Sequence, residues 1–169
     1  PATLNAMARG ENIRIVAERG DLDPQGCTFM AIVAGKNHAK DPRRTVERIS
    51  LEKQISMYHI AVKALEHVGL STKELNVLEV PSAAEMDALE KGTLDAAFVG
   101  EPWLSRNLDR GAQMWIRSQD VLPHLQFGFV MYGPNLLNGD PDVGRRFMIA
   151  YRQAVAQYLA GKTPRKVGI

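Results

Sequence analysis

Short apolar runs and helical stripes alternate along this chain. Runs that are too brief and too tightly punctuated for helices read as strands at Asn12–Ala17, Thr28–Val33, Val46–Leu51, Leu75–Val80, Met114–Ile116 and Leu125–Tyr132. The clearest is Leu94–Val99, bounded by Gly92 on one side and by Gly100 and Pro102 on the other, which reads as a central parallel strand. Between these lie helical segments. Tyr58, Ala61, Val62, Leu65 and Val68 keep helical spacing from Ser56 to a stop at Gly69. Ser82-Ala83-Ala84-Glu85 matches a capping box and starts a helix to Lys91, with Gly92 as its stop. Leu4–Arg9 and Trp103–Arg110 read as helices closed by Gly10 and Gly111. The best-formed helix begins at Asp140 as cap and Pro141 in the first turn; Val143, Phe147, Ala150, Tyr151, Ala154, Val155 and Tyr158 then make one apolar stripe before Gly161.

Repeated strand-helix-strand units imply an α/β fold with a parallel sheet, right-handed crossovers and helices on its faces. Two long apolar strands, Thr28–Val33 and Leu125–Tyr132, bracket the central block like paired crossings. A block entered by one strand and left by another is what a hinged second lobe requires.

Composition narrows the classes. The 169 residues are 45% hydrophobic and 24% charged, which is ordinary globular material. A net charge of +2 with basic residues only in scattered pairs, Arg43-Arg44 and Arg145-Arg146, gives no nucleic-acid stripe. The single cysteine, Cys27, excludes an internal disulfide and any cysteine-based metal cluster. No apolar run approaches a membrane span of roughly 18 residues.

Candidate chemistry collects where open α/β sheets bind ligands, at strand carboxyl ends and helix amino ends. Lys53-Gln54-Ile55-Ser56-Met57-Tyr58 is one such end, which makes Gln54, Ser56 and Met57 candidates; Ser56 is equally the N-cap of its helix. The Gly100-Glu101-Pro102-Trp103 corner is another. Glu101 either caps the following helix or pairs with an arginine, or it accepts hydrogen bonds from a ligand amine, amidine or hydroxyl. A carboxylate there argues against a bare oxyanion. Trp103, with Phe29 or Phe127, offers a stacking surface. Glu85, Asp87 and Glu90 read as a solvated helix face.

Other motifs fail on context. Ala160-Gly161-Lys162-Thr163 resembles the tail of a phosphate-binding loop, but Ala156 replaces the required glycine and a helix precedes it. His38, His59, His67 and His124 lack ligand spacing, so no metal or cofactor is expected. There is no nucleophile elbow and no local signature around Cys27, so no catalytic residue is assigned.

The ordered pieces Asn5-Ala6-Met7-Ala8-Arg9-Gly10, Ala88-Leu89-Glu90-Lys91-Gly92-Thr93-Leu94-Asp95-Ala96-Ala97, Glu101-Pro102-Trp103 and Asp140-Pro141-Asp142-Val143-Gly144-Arg145-Arg146-Phe147-Met148-Ile149-Ala150-Tyr151 resemble the nitrate, sulfonate and taurine type of ABC-transporter solute-binding proteins. The same family shape is similar to the pyrimidine-precursor synthases of thiamine biosynthesis. The resemblance implies a two-lobed periplasmic-binding-protein type II fold, with one lobe complete and part of the other. Residues 1–33 and 125–169 would belong to the first lobe with its two hinge strands, and 34–124 to the second. The chain would then be a fragment that exposes first-lobe apolar surface and either self-associates or binds a partner chain.

What the resemblance implies for function is capture of a small polar organic ligand outside the cytoplasm, in the periplasm or on a lipid anchor, for an ABC permease. The expected ligand contacts are Thr3, Asn5, Phe29, Gln54, Ser56, Met57, Glu101, Trp103 and Phe127. The turn at Glu52-Lys53-Gln54-Ile55 lacks the Gly-rich segment of many relatives. Two other readings stay open: an enzyme like the pyrimidine-precursor synthases, and a ligand-sensing regulatory domain.

Overall fold

The alternation of strands and helices is present in a computed structural model, which describes residues 2–53 and 56–161. In chain order the elements are α1 (Ala2–Ala8), β1 (Arg14–Asp21), β2 (Met30–Ala34), α2 (Pro42–Thr45), β3 (Arg48–Ser50), α3 (Ser56–His67), β4 (Asn76–Leu78) and α4 (Ser82–Lys91). They continue with β5 (Ala96–Gly100), α5 (Trp103–Asp109), β6 (Gln113–Arg117), α6 (Ser118–Val121), β7 (Gln126–Tyr132), α7 (Pro134–Leu137) and α8 (Pro141–Leu159). The residues form two compact units, one from Gly20 to Gly128 and the other comprising the segments before and after it. Among the described residues no helix is long and apolar enough to cross a membrane.

The larger unit is built on a five-stranded sheet in the order β4-β3-β5-β2-β6. Successive residues of a strand point to opposite faces, and both faces here are covered. On one face Ile32, Ile49, Leu51 and Ala96 pack with Ala61, Ala64 and Leu65 of α3. On the other, Ala31, Val33, Ala97 and Val99 pack with Leu89 of α4 and Leu104 of α5. Burial on both sides explains why β2 and β5 read as continuous apolar runs rather than alternating ones.

The sheet is mixed, which corrects the expectation of a parallel one. β3 runs parallel to β4 and β5, with Ile49 opposite Val77 and Ala96, whereas β2 is antiparallel to both β5 and β6, with Ile32 opposite Phe98 and Ile116. The role of Thr28–Val33 also differs from that of a hinge strand. Its apolar run is β2, paired on both edges inside the sheet, so residues 20–33 fold with the larger unit. The chain instead passes between units within β1 and β7, which pair as a two-stranded sheet.

In the smaller unit, Asp140 accepts a hydrogen bond from the Asp142 N–H at 2.9 Å and caps α8. Gly144 faces Tyr132 so closely that a Cβ there would lie 2.9 Å from the ring. The Tyr132 hydroxyl donates to the Gly144 carbonyl, and the Tyr151 hydroxyl donates to the Glu18 carbonyl at 3.0 Å. Much of the α8 apolar stripe is exposed, Phe147 at 46% and Tyr158 at 71%.

Candidate functional site

Asp95 fixes the strands that carry the site. Its carboxylate, almost wholly buried, accepts from the backbone N–H groups of Glu47 and Arg48 at 3.0 and 2.8 Å and pairs with the Arg48 guanidinium. Arg48 also donates to the Gly92 carbonyl at 2.8 Å, and the His38 ring lies 3.3 Å from the same carboxylate. Burial pushes the Asp95 carboxyl up, but the Arg48 guanidinium and the two backbone donors outweigh it and hold the group below the usual carboxylate range. This joins the amino ends of β3 and β5, so their carboxyl ends emerge together at the opposite edge.

A cavity of about 220 Å³ opens at that edge. Leu51 and Glu52 enter from the exit of β3, Val80 from the exit of β4, and Phe98, Gly100, Glu101 and Trp103 from the end of β5 and the corner beyond. The first turns of α3 and α4 add Met57, Tyr58, Ser82 and Glu85, and Phe29 precedes β2. Strand carboxyl ends and helix amino ends thus converge on one concavity, the arrangement in which open α/β sheets take ligands.

Four expected site residues, Phe29, Met57, Glu101 and Trp103, meet in this cavity. Ser56 opens α3 and Phe127 lies on β7, while Gln54 falls outside the described residues. Thr3 and Asn5 sit on α1 in the smaller unit. Glu101 has a structural role as well as a place on the wall. It accepts from the Ser105 hydroxyl at 2.7 Å and from the Ser105 N–H at 3.2 Å, so it closes the first turn of α5 from one residue before Pro102. The Arg106 guanidinium lies 5.0 Å from the centre of the Trp103 ring, a cation–π contact.

Glu85 is a cavity-lining residue that sequence reasoning misplaced. It was expected on a solvated face as the acid of a capping box, yet it is only 4% exposed and its Oε2 has no hydrogen-bond partner. Pro81 occupies the N-cap position, which makes Ser82 the first helical residue and moves Glu85 one place beyond the capping-box position. Glu85 is four residues before the buried Leu89, so the helical repeat turns it toward the sheet. That spacing is the signal that identifies it. Burial pushes its carboxyl up to about 7; the Ser50 hydroxyl draws it down in part and the Glu52 carboxylate pushes it up further. Asp87 and Glu90, by contrast, are exposed and pair with Arg110 at 2.7 and 3.4 Å.

The model of a family described as NMT1-like matches residues 17–130, about two thirds of the chain. The chain belongs to the NMT1-like family. No curated protein sequence matches it. Among solved structures it is similar to the periplasmic aliphatic sulphonate binding protein of Escherichia coli, at 18% identity over 93% of this chain and 53% of that one, with a TM-score of 0.70. It is also similar to the alkanesulfonate-binding protein of Xanthomonas axonopodis pv. citri bound to MOPS, at 22% identity over 95% and 54% of the two chains, with a TM-score of 0.68. A third is the ligand-binding component of an ABC-type import system from Staphylococcus aureus, with zinc bound, at 16% identity over 86% and 50% and a TM-score of 0.67. At these identities the likeness is one of fold, the α/β architecture of periplasmic binding proteins. This NMT1-like chain spans about half the length of the structures it matches.

Proposed function

We propose that this NMT1-like chain acts as the solute-binding component of an ABC importer outside the cytoplasm. In this reading it captures a small polar organic solute and delivers it to a membrane permease without chemical change. The observation that carries the proposal is the cavity at the carboxyl ends of β3, β4 and β5, where apolar and aromatic walls surround a few converging polar groups. Phe29, Met57, Glu101 and Trp103 are its proposed contacts, with Gln54, Ser56, Phe127, Thr3 and Asn5 as further candidates. Closure about β1 and β7, the two strands through which the chain passes between units, is the proposed motion. The exposed apolar face of α8 supports self-association as part of the same reading.

The test is solute binding followed by recovery. The chain is titrated with a panel of sulfonates, nitrate, carboxylates and aminopyrimidines while tryptophan fluorescence is read, and each bound solute is recovered and weighed by mass spectrometry. Saturable binding with an unaltered solute is expected. A chemically altered solute would establish an enzyme instead.

A further inference from the structure

Among the polar side chains that line the cavity are the carboxylates of three glutamates and the hydroxyls of Tyr58 and Ser82. Glu52, Glu85 and Glu101 contribute carboxylates, and among the described lining residues there is no lysine, arginine or histidine. Glu101 has Ser105 as a partner, and Glu52 is exposed to water. Glu85 has neither relief in full. Its Oε2 is buried without a hydrogen-bond partner, while Ser50 nearby on β3 is bonded to Val80, whose N–H donates to the Ser50 hydroxyl at 3.2 Å. A buried acceptor left in this condition costs free energy until a donor reaches it. Phe29, Tyr58, Phe98 and Trp103 line the same cavity, and aromatic faces attract cations, as the Arg106 guanidinium over the Trp103 ring illustrates. A bare sulfonate or nitrate entering here would meet three carboxylates with no cation among the described lining residues, and the Arg106 guanidinium is engaged on the Trp103 ring.

We propose that Glu85 is a recognition group of the solute site and that the site selects solutes bearing an organic nitrogen cation, an ammonium or amidinium on a small apolar or aromatic body, over bare oxyanions. The inference rests on the reading of the cavity as the solute site. The titratable groups that line the cavity together with Glu85 are Glu52 from the exit of β3, Tyr58 from α3 and Glu101 from the exit of β5. With its carboxyl pushed up to about 7, Glu85 gains its charge across the neutral range, so cation binding strengthens as pH rises through that range.

Benzamidine and benzenesulfonate share one phenyl body and differ in the head group, with neutral benzamide as the control. Each is titrated into the full chain by calorimetry and tryptophan fluorescence. Benzamidine is expected to bind in preference to the other two. Its affinity should rise about tenfold from about pH 6 to about pH 8, as the ionised fraction of a group titrating near 7 goes from roughly one tenth to roughly nine tenths. In Glu85→Gln, which keeps the shape of the side chain, the affinity should fall and lose this pH dependence, with far-UV circular dichroism confirming the fold.

Phe29→Ala separates the inference from the reading beneath it. Benzamidine binding that weakens in Phe29→Ala but not in Glu85→Gln overturns the role of Glu85 and leaves the cavity as the solute site. So does a benzenesulfonate that binds more tightly than benzamidine and is weakened by Phe29→Ala. A probe set that leaves tryptophan fluorescence unchanged, or whose binding ignores Phe29→Ala, overturns both.

Discussion

Glu85→Gln should make the larger unit more stable at neutral pH, and the size of the gain follows from the structure. Burial moves the Glu85 carboxyl from an ordinary 4.5 to about 7. At about 1.4 kcal/mol for each pH unit, that difference corresponds to about 3 kcal/mol. The sign follows from which state holds the proton more tightly. The folded-state value lies above the unfolded one, so between them the unfolded chain gives up its proton first. The contribution is therefore full below about pH 4.5, is lost as pH rises toward about 7, and is flat above that. Glutamine keeps the shape and does not titrate. Both tryptophans of the chain, Trp103 and Trp115, lie in the larger unit, so their fluorescence in urea reports its unfolding. The difference between wild type and variant isolates this one group and is the informative quantity. It should grow by about 3 kcal/mol in favour of glutamine between about pH 4.5 and pH 8. A difference that stays constant with pH would refute the burial of a titrating acid at this position.

Asp95→Asn should destabilise the same unit by about 3 kcal/mol, measured by urea denaturation at neutral pH, because it leaves two backbone N–H donors and the Arg48 guanidinium facing an amide. The folded-state value of Asp95 is depressed, so its contribution is present above the ordinary 3.8 and lost as pH falls below it, opposite in sense to that of Glu85. In the smaller unit, Gly144→Ala should cost about 1–3 kcal/mol through the clash of the new Cβ with the Tyr132 ring 2.9 Å away, exceeding the gain of roughly 1 kcal/mol in helix propensity. A lower thermal midpoint by circular dichroism is the expected result.

How legible the molecule is in its sequence depends on whether a feature is set locally. The Asp140 cap, the Gly92 stop at φ 69° and the strand ending at Gly100 each rest on a few neighbouring residues and occur where the pattern puts them. The direction of β2 does not. A run buried on both faces reads the same whether its neighbours are parallel or antiparallel, so Thr28–Val33 carried no sign that it would pair antiparallel with both β5 and β6. The corner at Glu101 lies on the cavity wall, and the bond of Glu101 to Ser105 is the capping alternative recognised in the sequence. Glu85 was misplaced because serine followed three residues later by glutamate has two structural outcomes. A cap at Pro81 rather than at Ser82 selects the buried one.

Two buried acids in one sheet unit show how structural and functional roles can be told apart. Asp95 sits at the amino ends of β3 and β5 with backbone donors and a guanidinium supplied by the fold itself, so its charge is compensated before anything binds. Glu85 sits at the carboxyl ends with one oxygen unpartnered, facing a cavity rather than a packed wall. An apolar residue of similar size would remove the cost of a buried acid. On the proposal that Glu85 recognises the solute, the cost of a side chain that lowers stability where strand ends, helix starts and aromatic rings converge is offset by a donor from the solute. The two substitutions therefore move in opposite directions. Asp95→Asn lowers stability and leaves the cavity walls in place, whereas Glu85→Gln raises stability while weakening capture, and that inverse relation is what a binding group imposes.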